Sequence, residues 1–261
     1  MEWLADTHVH VYPAHDPSAL FRQGLQRLRQ LAQTASPCYA LFLTEAAGHD
    51  YFEQLLSGEH RLPADWQVTA GAEPHVAEVR PAGGDPLWIF QGRQLVARER
   101  VEILALAGNP DSADGQPAAE LIEQVHASGA VPVLAWAPGK WLFHRAKVVA
   151  ALLEQFGPDD LWLGDSALRP LGWPTPSPMR SPQRRVLAGT DPLPFAGDEQ
   201  QVGGYGIRVE ADFDPQQPLT SARNMLRVPV AELTRFGQRN TPLTMLQRMQ
   251  RHRAQKQVGT P

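Results

Sequence analysis

Trp3-Leu4-Ala5-Asp6-Thr7-His8-Val9-His10 opens the chain as a run of β-forming residues that ends in two imidazoles. Side chains alternate along a strand with a period of two, so His8 and His10 point to the same side and can meet at one ion. Neutral imidazole is the commonest metal ligand among side chains. The rest of the fold is read outward from this strand end.

Short apolar runs alternate with helical patterns along most of the chain. After residues 3–10, Ser18 is placed to cap a helix whose apolar face is Leu20, Phe21, Leu25, Leu28 and Leu31. Residues 38–44 form a second strand, 51–56 a short helix and 66–72 a third strand. Around Gly83-Gly84 and Gln91-Gly92-Arg93, residues 77–98 suggest a hairpin excursion. Residues 101–106 are the fourth strand. Pro117 opens a helix that Gly129 stops, and 131–136 is the fifth strand. A helix over 143–156 leads to a sixth strand at 161–164. The proline-rich stretch 170–182 should be a loop over one end of the domain. Residues 186–190 are a seventh strand and 205–209 an eighth or an edge. Helical patterns at 222–226 and 243–249 follow, and the polar tail 250–261 should fray.

The polar residues choose the architecture. His8, His10, Glu45, Glu73, Asp165 and Asp191 fall at the ends of successive strands. An α/β barrel gathers its site at that face, whereas an open doubly wound sheet concentrates it at one switch point. The expectation is one domain, residues 1–261, folded as a distorted TIM-like (β/α)7–8 barrel. Barrel closure would bring Asp191 beside His8 and His10.

Composition narrows the function. The chain has 261 residues, 43% of them hydrophobic, a net charge of −4 and a pI near 6.1. That balance argues against a general nucleic-acid binder, so no nucleic-acid partner is expected. A single cysteine, Cys38 in an apolar run, builds neither a disulfide framework nor a thiolate zinc site. The apolar stretch 130–139 is too short to span a bilayer, and no signal peptide is visible. A cytoplasmic protein without a membrane partner is expected.

Several segments at the strand ends resemble the PHP (polymerase and histidinol phosphatase) domains, relatives of the amidohydrolase barrels. The opening Asp6-x-His8-x-His10 is similar to the hallmark of both groups. Leu43-Thr44-Glu45 stands where PHP domains carry Thr-Asp-His, and Gly71-Ala72-Glu73 resembles their metal-ligating Gly-x-Glu. Residues 103–106 are similar to their fourth strand, and Ser128 to Ala135 to the lead-in of their Ala-His-Pro. Ala188-Gly189-Thr190-Asp191 resembles their Gly-Ser-Asp and equally the Gly-Thr-Asp-x-Pro of hydrolytic or decarboxylating amidohydrolases. The chain departs from the PHP pattern at Trp136, which replaces the histidine of Ala-His-Pro. It departs again at Pro192-Leu193 and at Glu45, where further imidazoles are missing unless His49 reaches back. The resemblance implies a PHP-like, metal-dependent hydrolase barrel.

The expected ligands are therefore His8, His10, Glu73 and Asp191, with Glu45 and Asp165 in reserve. They would hold one or two divalent ions. Such an oxygen-rich set leans towards Mn, Fe or Mg more than Zn. The ion would activate a water, with Asp191 or Asp165 as proton acceptor. Lys140 and Arg169 are placed to hold a phosphate or carboxylate of a small anionic substrate, and Trp136 and Trp141 to line its pocket. His75 is a weaker ligand candidate, and His15, His60, His126, His144 and His252 read as solvated. Gly203-Gly204-Tyr205-Gly206 lacks the strand before and helix after that a phosphate loop needs. A phosphoesterase is the leading expectation. An amidohydrolase-type C–N hydrolase or decarboxylase, and a degenerate barrel that binds without turnover, are the alternatives.

Overall fold

The computed structural model describes residues 1–59 and 62–258, with side chains through residue 254. His60 therefore lies outside the described residues, as does the last part of the tail. Along the chain the strands are β1 (Glu2–Val9), β2 (Cys38–Leu43), β3 (Trp66–Ala70), β4 (Val76–Pro81), β5 (Leu87–Phe90), β6 (Arg93–Val96), β7 (Glu102–Leu106), β8 (Val131–Ala135), β9 (Trp162–Ser166), β10 (Val186–Gly189), β11 (Tyr205–Glu210) and β12 (Thr234–Gly237). The helices are α1 (Pro17–Leu31), α2 (Tyr51–Ser57), α3 (Ala118–Ala127), α4 (His144–Gln155), α5 (Pro218–Leu226) and α6 (Pro242–Val258).

The sequence predicts a closed barrel; among the described residues the strands form two open sheets instead. One has the order β12-β11-β1-β2-β5-β4-β3 and the other β10-β9-β8-β7-β6. Strand direction is the physical reason. β7 runs antiparallel to both of its neighbours, and β11, β12, β4 and β3 extend the first sheet by antiparallel pairing. Only β1, β2 and β5 in one sheet, and β8, β9 and β10 in the other, keep the parallel pairing of a repeated β/α unit. The expected hairpin excursion is split between the sheets: β4 and β5 pair as a hairpin, then the chain crosses over at Gln91-Gly92 and enters β6.

The two sheets meet along two seams. At one, Glu45 bridges to Arg93 just after Gly92. A Cβ on Gly92 would stand 2.4 Å from the Ala105 carbonyl oxygen of one sheet and 2.5 Å from that of Leu43 in the other. Only a residue without a side chain fits there. At the second seam the Thr7 hydroxyl donates to the Ala188 carbonyl at 2.9 Å, and the Asp191 amide to the His8 carbonyl at 2.9 Å. Gly189 touches the backbone of His8 closely enough that a Cβ would sit 2.4 Å from the Cβ of His8.

Period-two patterning sorts the core into three layers. Trp3, Ala5, Phe42, Phe90, Leu104, Val133 and Ala188 pack between the sheets. Leu4, Tyr39 and Leu41 face outward, where α1 covers them with Leu20, Phe21, Leu25 and Leu28. Leu134 and Leu163 face outward on the other sheet, under Leu121, Ile122 and Val125 of α3 and Val149 and Leu152 of α4. Each such buried Leu or Phe stabilises the fold by roughly 1.5–3 kcal/mol. The cap of α1 is Asp16, whose carboxylate accepts from the Ser18 amide, two residues earlier than the pattern predicts. α6 continues to Val258 rather than fraying at 250. No described helix is long and apolar enough to cross a membrane.

Candidate metal centre

β1 does not run straight to its end. Its pairing with β2 matches Asp6 to Leu41 but Val9 to Leu43, so three residues oppose two and the strand bulges. A bulge inserts one residue and flips every later side chain to the other face. Leu4 and Val9 consequently both face the α1 side. Without the bulge His8 and His10 would share the face of Leu4; with it they turn the other way. Asp6, just before it, stays behind as a tie. Its carboxylate accepts from the Thr190 amide at 2.9 Å, the Thr190 hydroxyl at 2.5 Å and the Gly203 amide at 3.0 Å. Burial raises the Asp6 pKa to about 6 against those hydrogen bonds.

His8, His10 and Asp191 converge, each buried. The two Nε2 atoms are 3.1 Å apart, and each lies 3.6 Å from Asp191 Oδ1. Ligands bound at 2.0–2.1 Å in tetrahedral directions stand roughly 3.4 Å from one another. The three donors thus have the mutual spacing of a ligand set, and the chemistry of the set, two imidazoles and a carboxylate, suits a divalent ion. Burial lowers the pKa of His8 to about 4 and that of His10 to about 3, the latter with help from its neighbour His8. Both imidazoles are therefore neutral, the form that ligates. Asp191 has φ of 51°, a left-handed conformation that an aspartate tolerates better than most residues and that often marks a functional position. Burial raises its pKa, while His10 and a hydrogen bond from the Ser166 hydroxyl to Oδ2 (3.0 Å) pull it down.

The other expected residues stand elsewhere. Glu45 is buried, but its carboxylate accepts from the Phe52 amide at 2.7 Å, at the start of α2, and burial pushes its pKa up to about 7. Glu73 lies at the surface and holds the Thr220 amide and hydroxyl at the start of α5. Neither joins the converging donors. Asp165 and Ser166 are neighbours on β9 and point to opposite faces; it is Ser166 that meets Asp191. Asp165 is locked into a buried fork with Arg169, 2.7 and 2.6 Å, and also accepts from the Tyr205 hydroxyl at 2.8 Å. That removes Asp165 as a proton acceptor and Arg169 as an anion holder. Lys140 is partly exposed, with its ammonium 3.0 Å from Glu102. His75 bonds to Gln91. His15 is buried with Nε2 2.8 Å from the Leu193 carbonyl, so it is not solvated. Cys38 is buried and its thiol pKa is raised well above the usual value by burial.

Three contributors escape a reading of strand ends. Glu102 opens β7, and because β7 runs antiparallel its first residue, not its last, lies at the level of the site. Burial raises its pKa, Lys140 lowers it and the charge of Asp191 raises it again. Tyr12 stacks near His10, ring centroids 5.2 Å apart, and its phenol pKa is raised by burial and by Asp191 and Glu102. Arg248 of α6 grips Asp198 with two hydrogen bonds, 2.8 and 2.5 Å, and reaches the Asp191 carbonyl at 3.3 Å. A helix-periodic pattern cannot show that one of its arginines is buried.

Two cavities flank this region. One of about 360 Å3, lined by Tyr12, His15, His49 and Asp50, opens beside His10. A larger one of about 610 Å3 includes Trp136 and Trp141 but none of the three converging donors. Chemistry, not size, marks the centre.

No family model matches the chain, and no curated protein does. Solved structures do. PsfC from Pseudomonas syringae PB-5123 is 16% identical with a TM-score of 0.59, covering 97% of this chain and 99% of its own. Endonuclease Q from Pyrococcus furiosus is 14% identical with a TM-score of 0.49, over 87% of this chain. An endonuclease Q complex with a 27-mer duplex carrying an abasic lesion at the active site is 13% identical with a TM-score of 0.50, again over 87%. The chain spans 56% of the length of those endonuclease chains. One of these structures holds a 27-mer duplex substrate, so the exclusion of nucleic acid drawn from net charge is withdrawn: a pI near neutrality does not decide what a local surface binds. At these identities the likeness to PsfC and to the endonuclease Q complex shows a shared fold alone.

Proposed function

We propose that the chain is a metal-dependent hydrolase in which His8, His10 and Asp191 hold one divalent ion, and that its substrate is a phosphoester. The convergence of two neutral imidazoles and a carboxylate at mutual distances of 3.1–3.6 Å carries the proposal. An ion held there supplies Lewis acidity and a water nucleophile at neutral pH. The chain's own residues do the rest. Ser166 occupies Asp191 Oδ2 and leaves Oδ1 turned to the imidazoles, the kind of outer contact that fixes a ligand's orientation. Glu102, half-buried and paired with Lys140, takes the proton-accepting role that Asp165 cannot. Lys140, partly exposed beside Glu102, is left to meet a substrate anion. The phosphoester class draws support from the PHP-like strand-end motifs and from the endonuclease among the chains of similar fold.

The test is a hydrolysis panel with Mn2+ or Zn2+ added to chelated protein: bis(4-nitrophenyl) phosphate, 4-nitrophenyl phosphate, an abasic duplex and 4-nitroacetanilide. Metal-dependent release should occur from a phosphoester and vanish in His8→Ala/His10→Ala. Glu102→Gln should lower kcat by about 100-fold or more while metal content is kept. Turnover of the anilide alone, or none with a full metal complement, would refute the assignment.

A further inference from the structure

The cavity of about 610 Å3 is bounded by the segment after β8, the start of α4, the proline-rich loop and α6. Its lining includes Trp136, Trp141, Trp173, Leu168, Val149 and Met245 and, among the described residues, no charged side chain. Trp141 is fixed in place by donating its indole NH to the Ala135 carbonyl at 2.9 Å. Its polar edge is thereby satisfied and its apolar surface remains for contact. The loop wall is pinned as well: the Leu171 amide donates to the Asn240 carbonyl at 2.8 Å, and the Trp173 amide to the Pro170 carbonyl at 3.0 Å. Prolines 170, 174, 176 and 178 stiffen it further. The volume is that of a small-molecule pocket, and the walls need no rearrangement to exist.

Three elements place this cavity against the metal centre. In the segment after β8, Trp141 lines the cavity while Lys140 reaches Glu102. After β9, Leu168 lines it while Ser166 bonds Asp191. On α6, Met245 lines it while Arg248 holds the Asp191 carbonyl. Each element contributes one residue to the cavity and another, one to three positions away, to the site. From this we infer that the cavity is the specificity pocket of the reaction and takes a planar aromatic group of the substrate, whose reacting end lies at His8, His10 and Asp191. The inference rests on reading the cluster as the reaction centre. Indole and proline faces stack on flat rings, and a lining without charge disfavours a polar group there.

The experiment measures binding of 2-naphthol and 2-naphthyl phosphate by quenching of tryptophan fluorescence and by calorimetry. 2-Naphthol should bind chelated protein, and 2-naphthyl phosphate should bind at least tenfold more tightly once Mn2+ is added. Ala150→Trp, which fills the cavity from the exposed side of α4, should weaken both at least tenfold while metal content stays unchanged. Trp173→Ala, at a half-exposed lip, should weaken both without filling anything. Unaltered affinities in both variants would overturn the inference. So would a self-associating chain that binds no naphthol and becomes monomeric on Ala150→Trp, since the occupant is then a second copy. If naphthol binds as expected but the phosphate adds nothing with Mn2+, the cavity does not present a substrate to the cluster and the inference falls, while the hydrolysis panel decides the phosphoester reading separately.

Discussion

His8 and His10 are neutral in the fold because burial holds their pKa values at about 4 and about 3. An unfolded imidazole takes a proton from about pH 6.5 downward, and the folded ones do not until far lower. Each therefore contributes stability that is fully present above pH 6.5 and lost as pH falls towards 4. Asp6 and Glu45 act in the opposite sense: burial raises them to about 6 and about 7, so their contribution grows as pH falls. A comparison of metal-free wild type with His8→Asn/His10→Asn isolates the imidazoles. The difference in urea stability should move against the wild type by at least about 1 kcal/mol between pH 7.5 and 4.5; a constant difference would show that the imidazoles are solvated. Their pairing was legible in the sequence, since i, i+2 spacing on a strand needs no tertiary information. The acidic residues were less so. Glu73 and Asp165 have the same strand-end signature as Asp191, yet one caps α5 and the other neutralises Arg169. A carboxylate's partner is chosen by tertiary packing, which spacing does not encode.

At the scale of elements, two glycines and one bulge do the positioning. Gly189 lets β10 lie on the backbone of His8, and Gly92 lets the chain cross between the sheets. Adding a methyl group at either forces backbone apart, which costs roughly 1–3 kcal/mol. Gly189→Ala should also displace His8 and weaken metal binding at least tenfold. Gly92→Ala lies against Leu43 and Ala105 and should lower stability alone. Parallel denaturation and metal titrations check this, and equal metal affinity in both variants would place the second seam away from the site. Most elements were legible, because apolar periodicity marks α1, α3, α4 and the parallel strands. The direction of β7 was not: its apolar run, Ile103 to Leu106, looks alike read either way. Glu102 was overlooked with it. β12 was missed because Thr234, Arg235 and Gly237 are exposed and only Phe236 is buried, leaving little alternation to see.

The whole molecule is two sheets with helices outside and the candidate centre at the seam where β1 meets β10. Residues from both sheets, and from α6 near the end of the described chain, converge there. The barrel expectation was right about the convergence of Asp191 on His8 and His10 and wrong about the architecture that achieves it. The central claim is that these three residues hold an ion, and anomalous diffraction from crystals grown with Mn2+ or Zn2+ tests it most directly. The account predicts one strong peak at roughly 2.0–2.2 Å from His8 Nε2, His10 Nε2 and an Asp191 carboxylate oxygen. A peak held instead by Glu45 or Glu73, with His8 and His10 bonded only to each other, would contradict it.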